Sequence, residues 1–182
     1  MNVREHVWLG GGVAAALSPV LGVEESAVFW AATVLIDVDH HWDYVYRNGF
    51  TDWSLRRALA FHRFLFGTLR RPEFLALNLF HTVEWFALAI AAGAWLGSSA
   101  VLAAVLGMLF HLALDLAWLG WHGATFKRAL SVVEYVIRRR GLARRGLDVD
   151  AVYREALAAS GLPRQPRLGF ADREFDRRAP PA

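Results

Sequence analysis

The sequence predicts an all-α protein: a membrane-embedded bundle of two helical hairpins, with further helices at the membrane interface. The mean hydropathy of +0.28 and the 55% hydrophobic content are high for a soluble chain. Two segments, Phe74–Leu96 and Ala100–Trp121, contain no Lys or Arg and are long enough to cross a bilayer. Apart from Arg4, the Lys and Arg residues fall in two blocks, 47–71 and 127–178. Uncharged segments that alternate with basic ones are typical of a membrane topology.

The composition also excludes several kinds of site. With 182 residues, the chain has the length of one domain. It contains no cysteine, which excludes disulfides, thiolate metal ligands and cysteine nucleophiles. The pI near 9.8 is compatible with nucleic-acid binding, but the block arrangement of the basic residues gives no strong indication of it.

Each predicted hairpin is a pair of helices around a turn without Lys or Arg. In the first hairpin, helices of about Glu5–Leu17 and Glu24–Ile36 flank a turn at Pro19–Gly22. In the second, Gly97–Ser99 joins the two long apolar segments. The positive-inside rule then places both termini and the segment 41–73 in the cytoplasm. We therefore expect a multi-pass protein of the cytoplasmic (inner) membrane.

Helices outside the hairpins complete the predicted architecture. A basic, aromatic-rich helix of about 52–66, capped by Asp52, has the composition of a membrane-interface helix. Asp148 is the expected cap of a short cytoplasmic helix. The predicted parts of the chain are a membrane bundle with a metal site (1–125), basic interfacial and cytoplasmic helices (126–162), and a Pro- and Arg-rich disordered tail (163–182).

A cluster of potential metal ligands follows the second predicted helix. The apolar run Ala27–Ile36 ends in Asp37-Val38-Asp39-His40. Carboxylate oxygen and imidazole nitrogen are the ligands that zinc and related divalent metals bind. An isolated D-x-D-H pattern is also typical of a polar loop that caps a helix, so a metal site requires partners from elsewhere in the chain.

The second hairpin supplies such partners at one depth. His81 and Glu84 precede its turn by about as many residues as His111 and Asp115 follow it. At about 1.5 Å of rise per residue, both pairs lie on the order of 20–26 Å from the turn. We therefore expect the two pairs to lie in one layer, with Glu84 facing His111 across the hairpin.

The first hairpin leads to the same layer. His6 and Asp37 lie on the order of 22–25 Å from its turn, on the same side of the membrane. Unpaired ionisable groups at that depth cost several kcal/mol, so a shared function is expected. The predicted ligands of one or two divalent metal ions, zinc by preference, are His6, Asp37, Asp39, His40, His81, Glu84, His111 and Asp115. Among them Asp39 is the expected bridging ligand, and Asp37 or Glu84 the expected general base.

These motifs resemble those of the small membrane-bound metal-dependent hydrolases, an inner-membrane family with LexA-regulated bacterial members. His6 is similar to the family's N-terminal histidine, and Ile36–His40 to its P-D-x-D-H motif without the proline. Gly107–Asp115 is similar to G-x-x-S-H-x-x-x-D, with Phe110 in place of serine.

The third family motif, H-R-G-x-T-H-S, is only partly present. His62-Arg63 matches its start without the glycine and the second histidine, and His81–Glu84 stands where a replacement would be expected. There is a looser likeness to the all-helical zinc phospholipase C and S1/P1 nuclease group, which uses H-x-x-x-D and H-x-x-x-E pairs. That likeness implies hydrolysis of a phosphoester.

The sequence thus predicts a membrane-bound metal-dependent hydrolase that acts on a phosphoester or lipid-type ester at the cytoplasmic interface. Membrane lipid is the expected partner, and an anionic, phosphate-bearing substrate would suit the flanking arginines, Arg56, Arg57, Arg63, Arg70 and Arg71. Two other classes stay open. One is a non-catalytic metal- or haem-binding protein. If it bound haem, His81 and His111 would be the axial ligands. A proton- or ion-conducting bundle would also bury ionisable groups, along a path and not in one layer.

The one-sided distribution of Lys and Arg gives a topology that can be measured. Reporter fusions after Arg71 and after Arg140 are expected to report a cytoplasmic location, because the basic blocks are retained there. An inserted tag at Ser98 is expected to be labelled from outside. A tag at Ser98 that only permeabilised cells expose would contradict the hairpin topology.

Overall fold

Residues 3–162 are described by this computed structural model, and they are mostly helical, as the sequence predicts. The helices are α1 (Val3–Leu21), α2 (Val23–Leu35), α3 (Val38–Arg47), α4 (Leu55–Gly67), α5 (Val83–Leu96), α6 (Ser99–Trp121), α7 (Val132–Arg144) and α8 (Val149–Ala159). Two short strands, β1 (Ala76–Leu77) and β2 (Arg128–Ala129), pair in parallel. The predicted disordered tail, 163–182, lies outside the described residues.

The helices form two layers. In the first, α2 packs along both α1 and α6, and α5 packs on α6, so the two predicted hairpins lie side by side. In the second, α4 packs on α3 and α8 around an apolar core that includes Tyr44, Phe61, Leu75 and Val152. The strand pair ties the chain before α5 to the chain after α6. The boundary between the layers is where α2 ends and α5 begins.

The first hairpin turn lies later than predicted, because α1 continues through Pro19 to Leu21. A proline inside a helix has no N–H to donate to the carbonyl four residues earlier. Here the hydroxyl of Ser18 donates to the carbonyl of Ala15 over 2.9 Å and so satisfies that acceptor. The turn is made by Gly22, whose φ of 87° lies in the region that glycine adopts without strain.

The predicted span Phe74–Leu96 is wrong in its first part, since α5 begins only at Val83. Thr82 has an extended backbone, and its hydroxyl accepts from the Trp85 amide, which is the arrangement of an N-cap. Residues before it form β1 and a single 3₁₀ turn, Leu79–His81. His81 therefore precedes the helix on which Glu84 lies.

One helix and one helix cap differ from the prediction, and one cap agrees with it. Helix α3 was not predicted, and the helix after it is capped by the Ser54 hydroxyl and not by Asp52. Asp52 instead accepts hydrogen bonds from the Tyr44 hydroxyl and from Arg57. The predicted cap of α8 is confirmed, since Asp148 accepts from the Asp150 amide.

Among the described residues, one helix is long and apolar enough to cross a membrane, α6, and α5 is apolar but shorter. Only 28% of the apolar stretch of α6 is buried within the protein. One such helix is weak support for the predicted membrane bundle, because length and composition alone do not distinguish a membrane span from other apolar helices. Trp95 and Trp121, near opposite ends of this hairpin, are 89% and 90% exposed.

Helix α6 approaches α2 closely at Gly107. A Cβ atom there would stand 2.1 Å from the carbonyl oxygen of Phe29 in α2. The hydroxyl of Thr33 contacts the Gly107 carbonyl over 3.2 Å at the same crossing. Small residues at a crossing let helix backbones approach closely, which is a common packing mode in membranes.

Gly107→Ala is therefore expected to lower the free energy of unfolding by about 1–3 kcal/mol, because the added methyl meets backbone and not a movable side chain. Gly12→Ala in α1 is the matched control, since a Cβ there would meet nothing within 4 Å. The control should be neutral or stabilising, as alanine favours a helix. Thermal unfolding followed by circular dichroism in detergent measures both. Equal midpoints for the two variants would contradict the close approach of α2 and α6.

Candidate metal centre

Four of the predicted ligands meet at the boundary between the layers. One potential ligand atom from each of Asp37, His81, His111 and Asp115 lies within 4.8 Å of the other three. They come from the end of the first hairpin, the 3₁₀ turn before α5 and the middle of α6. The prediction that both hairpins bring ionisable residues to one layer is confirmed for these four residues, which we call the metal group.

Asp37 is the centre of this metal group. Its Oδ1 atom lies 3.2 Å from His111 Nε2 and 3.9 Å from His81 Nε2, and Asp115 Oδ2 lies 3.5 Å from His111 Nε2. An ion bound at about 2.0–2.2 Å from each ligand would hold those atoms about 3.0–4.4 Å apart. The three distances above lie within this range. The 4.8 Å limit for the whole group exceeds it by a few tenths of an ångström.

Both histidines of the group present the correct nitrogen to an ion. The carbonyl of Thr33 can only accept, so His111 Nδ1, 2.7 Å away, carries the proton and donates. His81 Nδ1 likewise donates to Asp39 Oδ2 over 3.0 Å. A histidine ligand of a metal typically donates its second N–H to a carbonyl or carboxylate, which fixes its tautomer. Both Nε2 atoms therefore face Asp37, at the position where an ion would bind.

The atoms that converge lack hydrogen-bond partners. Asp37 Oδ1, His81 Nε2 and His111 Nε2 are buried, and although they approach one another, they form no hydrogen bond. Buried polar atoms almost always have a partner, because leaving one unpaired costs about 1–3 kcal/mol. A cation between these atoms would satisfy all of them.

Asp39 supports the site and does not belong to the group that converges. Its Oδ2 accepts from His81 Nδ1 and from the Phe80 amide. Asp37 and Asp39 are two residues apart at the start of α3, and on a helix that spacing points side chains in nearly opposite directions. The prediction of Asp39 as a bridging ligand therefore does not match the geometry, which gives it the role of orienting His81.

Both aspartates are held ionised. Burial opposes the negative charge of Asp37, but the His111 and His40 imidazoles outweigh it and keep the pKa of this carboxyl well below its usual range. Burial also opposes the charge of Asp39, and its contact with His81 lowers the pKa in the same way. Burial lowers the pKa of His81, which keeps this imidazole neutral and able to bind a metal.

His40 and His6 lie beside the metal group. His40 Nε2 is 3.3 Å from Asp37 Oδ1, at the i,i+3 spacing that shares a helix face. His6 Nε2 is 3.2 Å from Asp115 Oδ1, and its ring stacks on His111 with centroids 3.8 Å apart. Both predicted ligands are thus brought to the site, one on each side of it.

Glu84 does not join the predicted site. Its carboxylate is exposed and accepts from the Ser131 hydroxyl and the Val132 amide at the start of α7. The spacing of His81 and Glu84 predicted one shared helix face. The helix begins only after Thr82, however, so His81 does not lie on the helix that carries Glu84. The expected contact between Glu84 and His111 is therefore wrong, and with it the basis for Glu84 as a ligand or general base.

Two residues that sequence reasoning missed complete the surroundings. Arg128 Nη1 donates to Asp115 Oδ2 over 2.8 Å, and Asn78 contacts His40 Nδ1 over 2.9 Å. Asp37 and Asp39 contact imidazoles instead, so each of the three buried aspartates has a different set of nitrogen neighbours.

Comparisons of the chain with protein-family models, with curated proteins and with solved structures found no match.

The metal content of substituted proteins distinguishes residues that bind the ion from residues that only orient a ligand. Asp37→Asn keeps the shape of the side chain but removes its charge, and it is expected to lose bound metal, as is His111→Ala. Asp39→Asn should keep a weaker site, with an affinity lowered about 10–100-fold, the usual effect of losing a group that orients a ligand.

Glu84→Gln is the control and should bind metal as the unchanged protein does, because its carboxylate contacts α7. Elemental analysis and titration of the purified protein in detergent measure these affinities. Unchanged metal content in Asp37→Asn and His111→Ala would exclude this metal centre.

Proposed function

We propose that this protein is a membrane-bound metal-dependent hydrolase that cleaves a phosphoester or lipid-type ester at the cytoplasmic interface of the inner membrane. The observation that carries the proposal is the metal group itself. Two imidazoles and two carboxylates converge from three segments, and three of the facing atoms, Asp37 Oδ1, His81 Nε2 and His111 Nε2, are buried without a hydrogen-bond partner. Such a mixed nitrogen and oxygen set suits zinc, and manganese or iron are the competing ions.

A divalent metal bound there would lower the pKa of a coordinated water and polarise the ester oxygen. The residues around it have separate tasks. Asp39 orients His81, and the carbonyl of Thr33 orients His111. Asp37 remains our candidate for the general base, because its carboxylate is central to the site and ionised.

The alternative functions fit these contacts less well. A haem iron between His81 and His111 would need a porphyrin plane around it, yet Asp37 lies within 3.9 Å of both Nε2 atoms and Asp115 lies beside His111. An ion-conducting path would extend ionisable groups along a helix, whereas the stretch of α6 before His111 contains none. The apolar outer face of the bundle supports a membrane location.

Activity assays with purified protein test the function. Chromogenic phosphate esters and carboxyl esters are expected to be cleaved in a reaction that a chelator abolishes and added zinc or manganese restores. Asp37→Asn should lower kcat/KM more than 100-fold, beyond the roughly 10–100-fold expected for Asp39→Asn.

Gly12→Ala is the matched control with unchanged turnover, because Gly12 contacts nothing in the site. An absorption band of haem in the purified protein would overturn the proposal. So would hydrolysis that persists in Asp37→Asn.

A further inference from the structure

A small cavity adjoins the metal group on the side of α4 and β2. Its volume is about 50 Å³. One water molecule requires roughly 10–15 Å³ measured in this way, so the cavity has room for a group of several heavy atoms. Its polar lining consists of His40, Asp43, His62, Asn78, Lys127, Arg128 and Tyr153, and the Asp43 carboxylate is paired with Arg47 over 2.7 Å. Its apolar lining includes Leu65, Phe66, Leu69 and Leu119.

Two of the polar lining residues contact the metal group directly. His40 Nε2 lies 3.3 Å from Asp37 Oδ1, and Arg128 Nη1 lies 2.8 Å from Asp115 Oδ2. A ligand in the cavity would therefore lie next to an ion held by the group.

Arg128 is built into this position. Its side chain is only 9% exposed, and its backbone is fixed by the strand pairing with Ala76. A guanidinium carries five N–H donors in a planar fork, more than one carboxylate oxygen of Asp115 satisfies. Such a fork binds phosphate oxygens in pairs, which a lysine cannot do.

One part of the cavity lining contacts the metal group, and another part reaches the protein surface. Arg128 and His40 form the end at the metal group, whereas Phe66 lies at the outer edge, 46% exposed and packed against Trp118. Phe66 belongs to α4 and Trp118 to the last turns of α6. A ligand with a charged head and an apolar chain fits this division.

We propose that the cavity binds the phosphate group of an anionic amphiphile, with Arg128 holding the phosphate and the leucine and phenylalanine side chains contacting the first carbons of its chain. This inference rests on the proposed hydrolase function, for which it names the substrate class. The shared chemistry is a phosphate group, whether it belongs to a lipid or to a soluble ester.

Equilibrium binding of three probes to the metal-loaded protein tests this assignment. The probes are inorganic phosphate, glycerol phosphate and hexyl phosphate, measured by isothermal titration calorimetry in detergent. Arg128→Gln should weaken all three by about 10–100-fold, the range for a charge-assisted contact. Arg144→Gln is the matched control, since Arg144 is exposed near the end of α7 and does not line the cavity, and it should change nothing.

Because Arg128 also contacts Asp115 of the metal group, a change at Arg128 could remove the metal, so the metal content of each Arg128 variant is measured. Arg128→Lys keeps a positive charge beside Asp115 but removes the fork, and it should retain metal while still binding phosphate more weakly. Phosphate affinity that is unchanged in Arg128→Lys, with metal bound, would assign the phosphate to the metal alone and overturn the inference.

Comparison of hexyl phosphate with glycerol phosphate shows whether the bound phosphate belongs to an amphiphile or to a soluble ester. Hexyl phosphate should bind more tightly than glycerol phosphate, and Phe66→Ser should remove that difference, whereas Phe126→Ser, which is outside the cavity, should not. Equal binding of both esters by the unchanged protein would show a soluble substrate and contradict the amphiphile.

The assay also separates this inference from the hydrolase function. Cleavage of a carboxyl ester without phosphate binding would retain the hydrolase and exclude the phosphate site. Phosphate binding through Arg128 without hydrolysis would retain the phosphate site and exclude the hydrolase.

Discussion

The end of α2 is the constraint on which the site depends. A helix leaves its last carbonyls without internal partners, and the Thr33 carbonyl is one of these. His111 Nδ1 donates to it over 2.7 Å, which directs Nε2 towards Asp37. The Thr33 hydroxyl meanwhile contacts the Gly107 carbonyl, so the same residue joins the two helices and orients the ligand. If α2 continued another turn, the carbonyl would be occupied and Asp37 would lie elsewhere.

The convergence of ligands was predictable because helical rise is constant. Similar numbers of residues from the turn placed His81 and His111 at one depth, and they do meet, with ring centroids 5.3 Å apart. The directions of side chains were not predictable in this way. Glu84 points to α7 because α5 begins at Val83, a boundary set by the Thr82 cap. The Thr-x-Glu pattern at 82–84, a cap with an acid in the first turn, was the available indication.

Arg128 and Asp39 show a different limit of sequence reasoning. Arg128 reaches Asp115 because its backbone pairs with Ala76, and no periodic pattern marks a two-residue strand. Asp39 turns away from the metal group because α3 begins at Val38, whereas the sequence placed a loop there. In both cases the decisive feature is a local boundary or a long-range pairing that apolar periodicity does not encode. The all-α class depends on longer patterns and was correct.

Helix lengths explain why the metal group would be reached from one side. At about 1.5 Å per residue, α2 and α5 are roughly 20 Å long, whereas α6 is roughly 34 Å, close to the thickness of a bilayer core. The two short helices end at the site and α6 continues past it, with Asp115 about 9 Å before its final residue. In the proposed membrane arrangement, lipid would surround the outer faces of these helices. Water and substrate would then approach through the layer of α3 and α4. The cavity beside Arg128 lies on that side, between α4 and the last turns of α6, where a headgroup can enter while its chain stays in contact with lipid.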